Sequence, residues 1–121
     1  MHPTTILVVE DDPMIRLDAV TLISASGHDV VEMESADQAL AYVWRHPRRV
    51  AAIFSDIELP GNTDGLDLAR TVSLHWPHIR LLMTSGQRAE SLKLPPATRF
   101  LPKPWLPLHV LSGIEGRAAS A

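Results

Sequence analysis

The chain has 121 residues, 45% of them apolar and 21% charged, with a formal net charge of −3 and no cysteine. That length suits one globular domain, and a charge balance without a Lys/Arg block argues against a nucleic-acid-binding surface. The absence of cysteine excludes disulfides and thiolate metal sites, the apolar runs are too short to span a bilayer, and no leader pattern opens the sequence, so a cytoplasmic protein with no membrane contact is expected.

Short apolar runs alternate with helical patterns along the chain. Residues 4–9 read as a first strand, containing Ile6-Leu7-Val8-Val9. Asp12 can cap a helix, Pro13 suits its first turn, and Ile15, Ala19, Leu22, Ile23 and Ser26 recur at helical spacing up to Gly27. A second strand is expected over 28–33. Ser35 or Asp37 can cap the next helix, which runs to about His46 and stops at Pro47. Residues 50–55 form the most apolar strand. A turn-rich loop, 60–65, leads into a helix over about 66–76 that Pro77 closes. Residues 80–84 read as a fourth strand and 98–101 as a fifth. Between them 87–94 leaves room only for a short helix before Pro95-Pro96. A last helix starts at Leu106 or Pro107 and runs to about Gly116, and residues 118–121 are expected to fray.

Strands alternating with helices predict an α/β protein with a parallel sheet covered on both faces. Right-handed crossovers then bring the strands' carboxyl ends to one edge, where open α/β sheets bind ligands. The polar groups that end the strands meet there: Glu10 and Asp11, Asp56, Thr84 and Lys103. Taken alone, the run Glu10-Asp11-Asp12 fits a helix cap as well as a site. Asp56 follows five residues of buried-strand character, so its carboxylate needs a partner, a metal or a proton. Three carboxylates in one crevice call for a hard divalent cation such as Mg²⁺ (or Mn²⁺), which takes one or two carboxylates and keeps several waters. Asp11 and Asp56 suit that role, with Glu10 orienting a bound water. Lys103, held between Pro102 and Pro104, reads either as a surface lysine or as the counter-charge. Thr84 reads as a strand-end packing residue or as a donor to a ligand at Asp56.

Four motifs in order carry a resemblance. Val8-Val9-Glu10-Asp11-Asp12, Asp56-Ile57-Glu58-Leu59-Pro60-Gly61 with Asp64-Gly65, Met83-Thr84-Ser85-Gly86, and Phe100-Leu101-Pro102-Lys103-Pro104 resemble the receiver domain of bacterial response regulators. The resemblance spans nearly the whole chain. It implies a single receiver domain over 1–121, a doubly wound, flavodoxin-like (βα)₅ fold, and a five-stranded sheet of order 2-1-3-4-5 with a short fourth helix. It implies that Asp56 accepts a phosphoryl group from the phosphohistidine of a sensor histidine kinase or a histidine phosphotransfer protein. Glu10, Asp11, Asp56 and the Glu58 backbone carbonyl would hold Mg²⁺, and Thr84 and Lys103 would contact the phosphoryl group. Thr84 and Phe100 would be the switch residues, although Phe100 also reads as core packing. The protein would signal to a downstream protein or relay phosphate, catalysing only its own phosphorylation and dephosphorylation.

Three departures from the family pattern stand out. The loop after Asp56 is one residue longer, with Asn62-Thr63 before Asp64-Gly65. The segment between Thr84 and Lys103 is short, which resembles stand-alone single-domain regulators. Glu58 places a carboxylate two residues past the acceptor, where it can alter the lifetime of an acyl phosphate. Met14, Leu17 and Thr21 form a second apolar stripe on the first helix. The stripe is either buried or part of a partner surface with Pro104 and Trp105. His75 and His78 are split by Pro77 and are not expected to bind metal, and Trp44, Trp76 and Trp105 read as packing residues. A receiver domain of a hybrid histidine kinase is the alternative. An aspartate-nucleophile, Mg²⁺-dependent phosphohydrolase fits less well, because Glu58 stands where such enzymes place a second aspartate and no cap domain is evident.

Overall fold

The computed structural model describes residues 2–87 and 93–116. In chain order these form β1 (Thr5–Val9), α1 (Pro13–Ala25), β2 (Asp29–Met33), α2 (Ala36–Arg45), β3 (Val50–Asp56), α3 (Gly65–His75), β4 (Arg80–Ser85), β5 (Arg99–Pro102) and α4 (Pro107–Ile114). The five strands make one parallel sheet in the order β2-β1-β3-β4-β5, as expected. The short helix expected over 87–94 falls mainly on residues 88–92, outside the described residues, as does the tail at 118–121.

Each helix covers one face of the sheet. Leu7, Val9, Ile53 and Met83 face α2 and α3, packing on Ala39, Val43, Leu68 and Val72. Ile6, Val8, Phe54 and Leu82 face α1 and α4, packing on Ala19, Ile23, Val110 and Ile114. Because both faces are covered, β1 and β3 carry unbroken apolar runs, Ile6–Val9 and Val50–Phe54, instead of alternating. The edge strands β2 and β5 are only half-buried.

Local chemistry starts and stops the helices. Asp12 accepts from the backbone N–H groups of Met14 and Ile15, and Pro13 occupies the first turn. Ser35 accepts from Gln38 N to start α2, so of the two expected caps Ser35 is the one used. Asp64 and Asp67 form a reciprocal capping box at α3. Gly27, with φ +91°, lets the chain leave α1 in the left-handed region. Three strands end one residue later than the sequence suggests, with Asp56 inside β3, Ser85 inside β4 and Pro102 inside β5. Among the described residues, no helix is long and apolar enough to cross a membrane.

Candidate functional site

The strand ends deliver the site. Glu10 directly follows β1, Asp56 is the last residue of β3, and Thr84 is its register partner on β4. Lys103 follows β5, and its peptide bond to Pro104 is cis. The acidic run after β1 divides its labour: Asp12 caps α1, Glu10 turns inward at 4% exposure, and Asp11 stays exposed. Thus the cap falls on Asp12, while Glu10 and Asp11 stand near Asp56. Arg16 Nη1 donates to the Glu10 carbonyl at 2.8 Å, which steadies the loop. Gly65 is required on the far side, since a Cβ there would overlap the backbone of Asp56 and Ile57. The first turn of α3 can therefore press against the end of β3.

Lys103 Nζ lies 2.8 Å from Asp56 Oδ2 and 3.2 Å from Glu10 Oε1. Asp56 Oδ1 accepts from Glu58 N at 3.1 Å, and Glu10 Oε2 from Asp12 N at 3.2 Å. Asp56 is only 5% exposed, so these donors replace the water it has lost. Burial pushes the Glu10 carboxyl from 4.5 up to about 6; the Asp56 charge adds to the rise, while Asp12 N–H and Lys103 oppose it. Burial pulls the Lys103 ammonium down, but its contacts with Asp56 and Glu10 outweigh this and leave it raised.

Carboxylate oxygens of Glu10, Asp11 and Asp56 lie within 4.8 Å of one another. With all three ionised and a single ammonium beside them, the crevice carries two surplus negative charges. An all-oxygen donor set with that surplus fits a hard divalent cation. Burial is the main reason that Glu10 is raised, and the neighbouring Asp56 charge adds to it.

Thr84 is buried, and its Oγ1 finds no hydrogen-bond partner among the described residues. Buried hydroxyls are seldom left this way, so the group is suited to a ligand oxygen arriving at Asp56. Phe100 is half-buried against the α2–α3 side of the core, paired in register with Met83, the residue before Thr84. Met14 and Leu17 are 71% and 59% exposed, so the second stripe of α1 is not buried. Pro104 and Trp105 line a groove of about 390 Å³, whose α1 wall is Ile15 and Asp18. Met14 and Leu17 therefore do not line the groove itself.

Trp105 also packs edge-on against Phe54, with ring centroids 5.7 Å apart. Trp44 departs from its expected packing role: it is 69% exposed, resting edge-on on Trp76 and His75. His75 and His78 bond separately to the carbonyls of Thr71 and Pro47. Sequence reasoning gave no role to Gly65, Arg16 or Ser85. Gly65 stood in the quoted Asp64-Gly65 pair and Ser85 in Met83-Thr84-Ser85-Gly86, but the contacts of all three cross from one element to another.

Comparison with known proteins gives this geometry a family. The model of the response regulator receiver domain matches residues 6–113. The chain is 30% identical over 105 residues to sensor kinase CckA of Brucella abortus, covering 84% of this chain and 11% of that protein. It is 25% identical to the phyllosphere-induced regulator PhyR of Methylorubrum extorquens, covering 93% of this chain and 42% of that one. The chain thus spans between 11% and 42% of the length of such curated relatives.

Among solved structures, a response regulator receiver protein from Sinorhizobium medicae superposes with a TM-score of 0.84 at 21% identity, covering 94% of this chain and 93% of that one. The receiver domain of the hybrid histidine kinase CckA does so at 0.77 and 25% identity, covering 93% and 96%. With its family match, its sheet order and its acidic crevice facing a lysine, the chain belongs to the response regulator receiver domains, the phosphoryl-accepting modules of two-component signalling.

Proposed function

We infer that Asp56 is the phosphoacceptor and that the chain is a single receiver domain working in the cytoplasm as a switch or a phosphate relay. The donor would be the phosphohistidine of a sensor histidine kinase or histidine phosphotransfer protein, and the recipient of the signal a downstream protein. The observation that carries this reading is the placement of Asp56. It is a buried carboxylate with a lysine ammonium at 2.8 Å, and its register partner on the next strand is a threonine whose buried hydroxyl has no partner among the described residues.

In the proposed reaction a carboxylate oxygen of Asp56 attacks phosphorus, the P–N bond breaks, and the imidazole leaves with its bonding pair. Charge spreads over the three equatorial oxygens, so catalysis is positioning plus electrostatics. Lys103 exchanges Asp56 Oδ2 for a phosphoryl oxygen, and Thr84 Oγ1 donates to another. Phe100, packed beside Met83, follows the end of β4 as it moves. Glu10, Asp11, Asp56 and the Glu58 carbonyl would hold Mg²⁺ or Mn²⁺, which when bound supplies positive charge against the phosphoryl oxygens. The same groups would permit slow hydrolysis of the acyl phosphate, with no turnover of an external substrate. Met14 and Leu17, beside the groove of Pro104 and Trp105, would form the donor's docking surface.

Labelling with radioactive acetyl phosphate tests the reading. The wild type should acquire a hydroxylamine-labile label in magnesium, and Asp56→Asn should acquire none. Equal labelling of the two would overturn it. A receiver from a hybrid kinase is the second reading, favoured by the match to sensor kinase CckA. It predicts rapid passage of the label to a histidine phosphotransfer protein.

A further inference from the structure

The side chain of Glu58 is held from the neighbouring strand. Ser85 Oγ donates to Glu58 Oε1 at 2.7 Å and accepts from Gln87 N at 2.9 Å. Ser85 is fully buried, and its carbonyl accepts from Lys103 N at 2.9 Å. Glu58 in turn donates its own N–H to Asp56 Oδ1. A charge-assisted bond thus ties the loop after β3 to the end of β4, between the residue that touches Asp56 and the residue that follows Thr84.

We propose that the Ser85–Glu58 bond is a clasp that holds the end of β4 in its unphosphorylated position, which makes Ser85 a positioning residue for Thr84. The inference rests on Asp56 being the phosphoacceptor. Two physical effects set the clasp against phosphorylation. Thr84 Oγ1 makes no bond to Asp56 although the two residues are register partners. To engage a group on Asp56, Thr84 must shift toward it, and Ser85 must shift too. A phosphoryl group on Asp56 also adds negative charge at the residue that the Glu58 N–H bonds, two positions from the carboxylate that accepts the Ser85 bond. The added charge repels the Glu58 carboxylate. The phosphorylated arrangement is therefore reached at the expense of the clasp. By linkage, a variant without the clasp binds a phosphoryl mimic more tightly.

Beryllium fluoride, which adds to a carboxylate as a tetrahedral phosphoryl mimic, serves as the probe, in saturating magnesium. Trp105, packed on Phe54 behind the site, provides the fluorescence signal. Ser85→Ala should bind the probe about 5-fold more tightly, as expected for one hydrogen bond lost from the competing state. Glu58→Ala, altered at an exposed side chain, should show the same gain, and the double variant should gain no more than either single one. Unchanged or weaker binding in both single variants overturns the proposal, and so does full additivity. A purely structural bond would lower the melting temperature and leave probe affinity where it was, which also counts against the clasp. Should the wild type bind the probe no better than Asp56→Asn, the phosphoacceptor reading itself fails and the clasp fails with it.

Discussion

Substituting Glu10 by Gln should stabilise the metal-free protein. Glu10 is buried, and its carboxyl titrates near 6 in the fold against 4.5 in the unfolded chain. A raised carboxyl favours the folded state only while it keeps its proton. Below about pH 4.5 both states are protonated and Glu10 is neutral in the balance. As pH rises through 6 the fold must carry a buried charge, and stability is lost. The rise from 4.5 to about 6 corresponds to about 2 kcal/mol at pH 7.

Glutamine keeps the acceptor oxygen that Asp12 N and Lys103 use but cannot ionise. Urea denaturation in chelator, followed by tryptophan fluorescence, should show the variant level with the wild type at pH 4 and about 2 kcal/mol more stable at pH 7. Magnesium should narrow that gap. At ten times its dissociation constant the ion adds about 1.4 kcal/mol to the wild type and less to a variant that has lost a ligand charge. A gap at pH 7 that is zero, negative, or unchanged from pH 4 would refute the assignment of Glu10 as a strained, metal-seeking carboxylate.

Lys103→Ala leaves Glu10 and Asp56 buried without their counter-charge. Urea titration should show a loss of about 3 kcal/mol at pH 7, the low end for a broken buried pair because Lys103 is 25% exposed; the loss should shrink towards pH 4. Gly65→Ala forces a methyl into the Asp56–Ile57 backbone. It should cost about 2–3 kcal/mol by the same assay and slow acetyl phosphate labelling by displacing Asp56. Leu17→Asp replaces an exposed residue, so its melting temperature and acetyl phosphate labelling should match the wild type, while phosphotransfer from the cognate kinase should be lost.

How much of this was readable from the chain varies by element. The strands and helices of the first two-thirds lie within a residue or two of their expected bounds, because buried runs such as Ile6-Leu7-Val8-Val9 and caps such as Asp12 and Asp64 are local signals. The candidate acceptor, lysine and threonine were legible for a related reason: a parallel sheet sends its strand ends to one edge, so polar residues ending apolar runs must meet there. Exposure was harder. A stripe such as Met14 and Leu17 reads the same whether a neighbour covers it or solvent does, and only the packing of α1 through Ala19 and Ile23 shows which. Trp44 was misjudged on the same ground, since large aromatics are usually buried.

By itself, then, the sequence determined the order of elements, the wrapped parallel sheet and the identity of the groups at its carboxyl edge. These follow from hydrophobic period, caps and turn residues, which act over a few positions. Only the tertiary structure decided how the acids share their roles. Asp12 caps while Glu10 is buried, Gly65 must lack a side chain to let α3 approach Asp56, and Ser85 reaches Glu58 from the neighbouring strand. The burial of Glu10, the approach of α3 and the Ser85 contact depend on how separate elements meet, and it is packing, not pattern, that sets such distances.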